Sequence, residues 1–277
     1  MSLNATWVLL RGLMRESGHW GDFPDRLRER FPANDVITLD LPGNGEWHQL
    51  PSPTRIDMMS AWCQVLLRER GVAPPYALLA MSMGAMVAVD WTRRDPDAIG
   101  GCVLINTSLR PISPWYRRLR PTNHAALLRV ALLARDDVER ERTILRLTSA
   151  HPDDHAAVLD AWVHLRRARP VSRVNALRQL WAAARYRAPI EPPATPTLVL
   201  ASERDTLVDM RCSKELARRW QTEIALHPDA GHDLPLDDGA WVIDQVAQWS
   251  QHWLTGTTSR ADAHAAGRPV ARPDDRG

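Results

Sequence analysis

The chain has 277 residues, 44% of them hydrophobic, and carries 35 Lys and Arg against 33 Asp and Glu, a net charge of +2. That length suits one core-bearing domain with an insertion and is short for two independent enzymes. Cys63, Cys102 and Cys212 are odd in number and widely spaced, with neither a paired nor a metal-ligating pattern. A reducing, cytoplasmic setting is therefore expected, with no metal and no cofactor. Met1–Thr6 lacks a basic region followed by a long apolar run, so no signal peptide is expected. No apolar stretch approaches the ~18 residues that span a bilayer.

In chain order, strands are expected at 6–11, 35–40, 76–81 and 101–106. Helix-like stretches separate them at Phe23–Phe31, Ile56–Arg70 and Met83–Arg94. Such alternation predicts an α/β fold, a mostly parallel sheet covered by helices on both faces. The segment 110–189 breaks the pattern: Asn123–Arg135, Asp136–Ser149, Pro152–Arg169 and Ser172–Arg187 all read as helices, with no convincing strand. Strands resume at 197–201 and 221–227, and Asp238–Leu254 reads as a final amphipathic helix. Residues 255–277, poor in apolar side chains, read as a disordered tail. No internal repeat is present.

Three short segments carry the chemistry. Ala80-Met81-Ser82-Met83-Gly84 puts a serine between small residues, after the apolar run Tyr76–Leu79 and before a helix. A tight strand-to-helix turn needs small residues on both sides of such a serine, and the helix behind it favours developing negative charge. Asp205 follows the apolar run Thr197–Ala201. His232 stands in the late stretch Ala230-Gly231-His232-Asp233. Read together they are a nucleophile, an acid and a base: Ser82, Asp205 and His232. Asp209 is a rival acid farther from the strand. His227 reads as a packed strand residue, His19 as a packing residue and Asp233 as a loop cap. Met83 reads as facing the site, and Met86 as core.

The order Ser, Asp, His resembles that of the α/β-hydrolase family. Further pieces fit: Trp7–Leu13 where the family has a strand ending in His-Gly, Asp40-Leu41-Pro42-Gly43-Asn44-Gly45, and Gly101–Asn106. Two residues depart from the family pattern, Arg11 before Gly12 and Ala80 at the first elbow position. The resemblance implies an α/β-hydrolase core over 1–109 and 190–254, with 110–189 as an inserted helical cap. It also implies an oxyanion hole from the backbone of Leu13 and Met83. Arg11, Gly12 and Trp115 are the expected substrate contacts.

The implied activity is hydrolysis of a carboxylic ester or thioester through an acyl-enzyme. Residues 110–190 hold sixteen Arg against seven acidic residues, +9, while the remainder is −7. A basic cap attracts an acidic partner. The layout resembles the pimeloyl-carrier-protein methyl ester esterases, which implies a small-molecule ester or an acyl-carrier-protein-linked substrate and no nucleic-acid partner. The same fold also hosts hydroxynitrile lyases and cofactor-free oxygenases, the alternative reading.

Overall fold

The computed structural model describes residues 5–123, 125 and 136–265, with side chains as far as Gln251. Strands β1 (Thr6–Leu10), β2 (Val36–Leu39), β3 (Tyr76–Met81), β4 (Ile99–Ile105), β5 (Thr197–Ser202) and β6 (Glu223–His227) form one sheet in the order β2-β1-β3-β4-β5-β6. Every neighbouring pair is parallel. The expected strands are all present, with ends shifted by a residue or two.

Helices on both faces explain why β3 and β5 are buried at every position. Val8, Leu10, Leu78 and Ala80 point to one face, where they join side chains of α2 (Ile56–Glu69) and α3 (Met83–Arg94). Trp7, Leu9, Ala77 and Leu79 point to the other. There they meet Phe23 and Leu27 of α1 (Phe23–Arg30), and Val242, Val246 and Trp249 of the last helix. Each fully buried Leu or Phe in these clusters contributes about 1.5–3 kcal/mol relative to exposure.

Between β4 and β5 lie α4 (Trp115–Arg118), α5 (Asp137–Thr148), α6 (Ala156–Ala168) and α7 (Arg173–Arg185). Asp136 and Ser172 cap α5 and α7 by accepting from the amides of Glu139 and Asn175. The stretch read as a helix over Asn123–Arg135 lies almost wholly outside the described residues. Polar side chains tether α7 to the core: Asn175 accepts from the Ser52 amide, and Gln179 accepts from the Met14 amide and donates to Asn44 Oδ1. An isolated bridge, Arg110 to Arg187, joins the two ends of this segment. After β5 come α8 (Arg211–Trp220), which sequence reading had not placed, and α9 (Leu234–Ala265).

Helix α9 kinks at Asp238, where the expected final helix was to begin, and continues to Ala265. The stretch read as a tail is therefore helical through Ala265, and residues 266–277 lie outside the described residues.

Strand order reverses between β1 and β3, the first two neighbours not joined by one crossover. In open parallel sheets the crevice at such a reversal, beyond the carboxyl ends of the strands, is where ligands bind.

Candidate active site

Ser82 directly follows β3 at that crevice. Tyr76–Met81 before it and Met83–Thr92 after it are buried, while Ser82 alone in this run is half-exposed. Its backbone holds φ 54°, ψ −117°, a conformation that costs a non-glycine residue about 1–3 kcal/mol. Neighbours fix it there: the Ser82 amide donates to the Ile105 carbonyl at 2.9 Å, and Thr107 Oγ1 donates to the Ser82 carbonyl at 3.0 Å. The small residues around Ser82 have separate reasons. Ala80 is wedged between Leu10 of β1 and Leu104 of β4. A Cβ on Gly84 would lie 2.5 Å from the Arg11 carbonyl oxygen and 2.6 Å from that of Leu10. The first turn of α3 thus rests directly on the end of β1.

The loop after β1 comes down onto Ser82. A Cβ on Gly12 would sit 3.1 Å from Ser82 Cβ and 3.6 Å from its Oγ. Glycine here lets the Gly12–Leu13 backbone lie against the hydroxyl.

Beyond β5, Asp205 Oδ1 accepts from the amides of Leu207 and Val208 at 2.8 and 2.9 Å. Its Oδ2 is 2.7 Å from His232 Nδ1. Both side chains are almost fully buried. A carboxylate only accepts, so Nδ1 donates and Nε2 is left as the basic nitrogen. Burial alone would depress the His232 imidazole. The charge and hydrogen bond of Asp205, with the charge of Asp233, outweigh burial and raise it above its ordinary value; Arg11 opposes them. The His232 loop is closely covered, since a Cβ on Gly231 would lie 2.7 Å from both the Ala150 amide and the Thr148 carbonyl oxygen.

Asn106, at the end of β4 with φ 44°, was not singled out from sequence. Its Nδ2 donates to Ser202 Oγ, the Gly231 carbonyl and the His232 carbonyl, and its Oδ1 accepts from the Ser202 amide. One buried amide thus ties the ends of β4 and β5 to the backbone of His232. An asparagine closing a buried strand, a type that tolerates positive φ, was the available signal.

The structure pairs Arg11 with Asp233, a contact that the sequence reading did not include. Arg11, expected to touch substrate, sends Nη1 and Nη2 to the two Asp233 oxygens at 3.0 and 2.5 Å, and its guanidinium lies over the Trp20 ring. The pair is 3% and 2% exposed. Asp233, expected to cap a loop, is the buried partner of that fork. Burial would raise its carboxyl, but Arg11 holds it below the ordinary range.

The next turn is densely charged. Arg15 Nη1 donates to Glu141 of α5 at 2.7 Å and to His19 Nε2 at 2.8 Å, and its guanidinium lies 4.0 Å from the Trp162 ring centre. His19 packs against Trp162, and burial together with Arg15 depresses its imidazole well below the usual value. Glu16 pairs with Arg169 at 2.7 Å, yet burial pushes its carboxyl up to about 7.

The rival residues sit elsewhere. Asp209 pairs with Arg211, whose hydrogen bonds hold its carboxyl down at about 2. His227 Nδ1 accepts from the Asp229 and Ala230 amides, and Nε2 faces Asp238. Met83 and Met86 are both buried in the apolar cluster under α3. Trp115 is 71% exposed and packs edge-on against Tyr116.

Residues 7–245 match a family described as the alpha/beta hydrolase family. A pimeloyl-[acyl-carrier protein] methyl ester esterase of Aromatoleum aromaticum is 29% identical over 81% of this chain and 89% of that protein. A protein of the same name from Xylella fastidiosa is 25% identical, over 81% and 87%. Among solved structures, a thermophilic esterase from Thermogutta terrifontis superposes with a TM-score of 0.71 over 90% of each chain at 22% identity, a likeness of fold.

Proposed function

The chain belongs to the alpha/beta hydrolase family, and from that premise we propose that it is a serine hydrolase cleaving a carboxylic ester or thioester through an acyl-enzyme. The observation that carries this reading is the shared sheet edge. A strained, half-exposed Ser82 there lies under the Gly12 backbone, and a buried Asp205–His232 pair stands on the same edge.

In this reading His232 Nε2 takes the Ser82 hydroxyl proton as Oγ bonds to the acyl carbon. The carbonyl oxygen becomes an oxyanion held by the backbone N–H groups of Leu13 and Met83. Each such donor lowers the barrier by about 3–4 kcal/mol. The tetrahedral species then breaks its bond to the alcohol or thiol, which leaves with the proton from His232. Water, deprotonated by His232, attacks the acyl-Ser82 carbon. The acid departs and the proton returns to Ser82. Asp205 keeps Nδ1 protonated throughout and stabilises the imidazolium.

The segment 110–189 acts as a cap that holds the acyl group against this edge. The substrate is an ester or thioester presented by an acyl carrier protein. The names of the relatives support that choice, as does the +9 charge of residues 110–190 set against an acidic remainder.

Turnover of a short p-nitrophenyl ester tests the reading. Ser82→Ala should abolish it while leaving the circular dichroism spectrum unchanged. Retained turnover by the purified variant, with contaminating esterase excluded, contradicts it.

A further inference from the structure

The buried Arg11–Asp233 pair has no part in the mechanism above, yet its two residues adjoin the oxyanion loop and the base. Arg11 precedes Gly12, and Asp233 follows His232. Both oxygens of the carboxylate meet both terminal nitrogens of the guanidinium, with almost no exposure to solvent. A buried ion pair adds little net stability, while its bidentate fork fixes both distance and orientation. Main-chain packing reinforces the lock. The Arg11 carbonyl lies where a Gly84 side chain would start, and the Asp233 amide donates to the Thr148 carbonyl at 2.7 Å.

We propose that Arg11 and Asp233 are positioning residues for the hydrolytic reaction: their ion pair holds the Gly12–Leu13 backbone over Ser82 and keeps the charge beside His232 balanced. The proposal rests on the serine-hydrolase reading. It explains why this chain has arginine before Gly12. Asp233 places a second carboxylate beside the base, in addition to Asp205. Uncompensated, that charge would raise the imidazole further. Arg11 supplies the compensation, and its fork onto Asp233 ties the loop after β1 to the segment that carries His232.

The charged groups around His232 come from four elements. Asp205 lies beyond β5, Arg11 and Arg15 beyond β1, and Asp233 and Asp237 at the start of α9. Asp237 accepts from the Gly231 amide and faces His155 from the turn before α6. Asp205, Asp237 and His155 are untouched by the changes below, so their effect is common to all variants.

Two substitutions separate positioning from mere stability. In Asp233→Asn the shape and one hydrogen-bonding oxygen remain, but Arg11 stays charged and unbalanced. A positive charge disfavours imidazolium, so the acid limb of the kcat/KM profile should move to lower pH by half a unit or more. In Arg11→Lys the charge remains and the two-point hold is lost. The limb should then stay within a few tenths of a unit of wild type. Its kcat should fall about tenfold with KM nearly unchanged, because the oxyanion donors act on the transition state.

The experiment is the pH profile of short p-nitrophenyl ester hydrolysis by wild type, Asp233→Asn, Arg11→Lys and Ser82→Ala, with melting temperatures recorded alongside. A downward limb shift in Asp233→Asn with a kcat loss in Arg11→Lys supports the proposal. Should Asp233→Asn fail to fold, the kcat-against-KM split in Arg11→Lys decides alone. Ser82-dependent turnover with an unmoved limb in Asp233→Asn, or with kcat preserved in Arg11→Lys, overturns the proposal and leaves the hydrolase reading standing. Turnover that survives Ser82→Ala overturns both.

Discussion

Asn106 Nδ2 lies 2.9 Å from the carbonyl oxygen of His232 and donates to it, while the Asn106 Oδ1 accepts from the Ser202 amide at 2.9 Å. The candidate base is thus held at its own backbone by a side chain that follows β4. Asn106→Ala would leave the buried Ser202 amide without this acceptor and remove a donor from the Gly231 and His232 carbonyls. Each stranded buried group costs about 1–3 kcal/mol, so a loss of roughly 2–4 kcal/mol is expected in urea unfolding. The kcat should fall more than KM rises. Wild-type stability in the variant would refute the role assigned to Asn106.

Asp205→Asn should slow ester turnover by about 10³–10⁴, the scale expected when the base loses control of its tautomer. Asp209→Asn should cost at most a few-fold, because Asp209 is bound to Arg211 and not to an imidazole. Steady-state kcat for the two variants checks this, and the reverse ranking would transfer the acid role to Asp209.

Glu16 gives a stability prediction with a definite sign. Burial raises its carboxyl to about 7, so the folded state favours the neutral form. That contribution is complete below the ordinary carboxylate range and is lost as pH rises through 7. Gln mimics the neutral acid. Thermal melts should therefore show Glu16→Gln close to wild type at pH 5 and more stable than wild type at pH 8. Equal melting temperatures at both values would contradict the burial argument.

The carrier-protein substrate can be tested on α5. Arg142 and Arg146 are exposed one turn apart on it, and Arg140 is half-buried, its guanidinium depressed by burial and by Arg166. Replacing all three by Ala should lower kcat/KM several-fold for an ester tethered to an acidic carrier protein at low salt. The difference should shrink once the Debye length falls well below ~10 Å. Hydrolysis of a short free ester should be unaffected. Equal losses on both substrates would indicate a damaged cap, and no loss on either would favour a general esterase.

Legibility in the sequence followed the range of the interactions. Apolar runs such as Tyr76–Leu79 and Thr197–Ala201 announce buried strands because both faces of a parallel sheet are covered. Ser82, Asp205 and His232 stand out as candidates because each lies within a few residues after a strand, in a stretch flagged by its local residues. Arg11 with Asp233, and Asn106 with Ser202 and His232, join residues about a hundred or more positions apart. No local pattern encodes those partners, so Arg11 read as a substrate contact and Asp233 as a cap. The polar inner face of α7 was likewise hidden: Asn175 and Gln179 are buried where helical patterning calls for apolar residues, because they satisfy loop backbone and side chains around Met14, Asn44 and Ser52.

The central claim is that Ser82 is an activated nucleophile. Peptide mass spectrometry after exposure to a fluorophosphonate probe tests it most directly, because the probe bonds covalently only to a hydroxyl whose proton a neighbouring base removes. A single phosphonyl adduct on Ser82, formed much more slowly in His232→Ala, is the predicted result. A protein that hydrolyses esters yet carries no adduct on Ser82 would contradict the account.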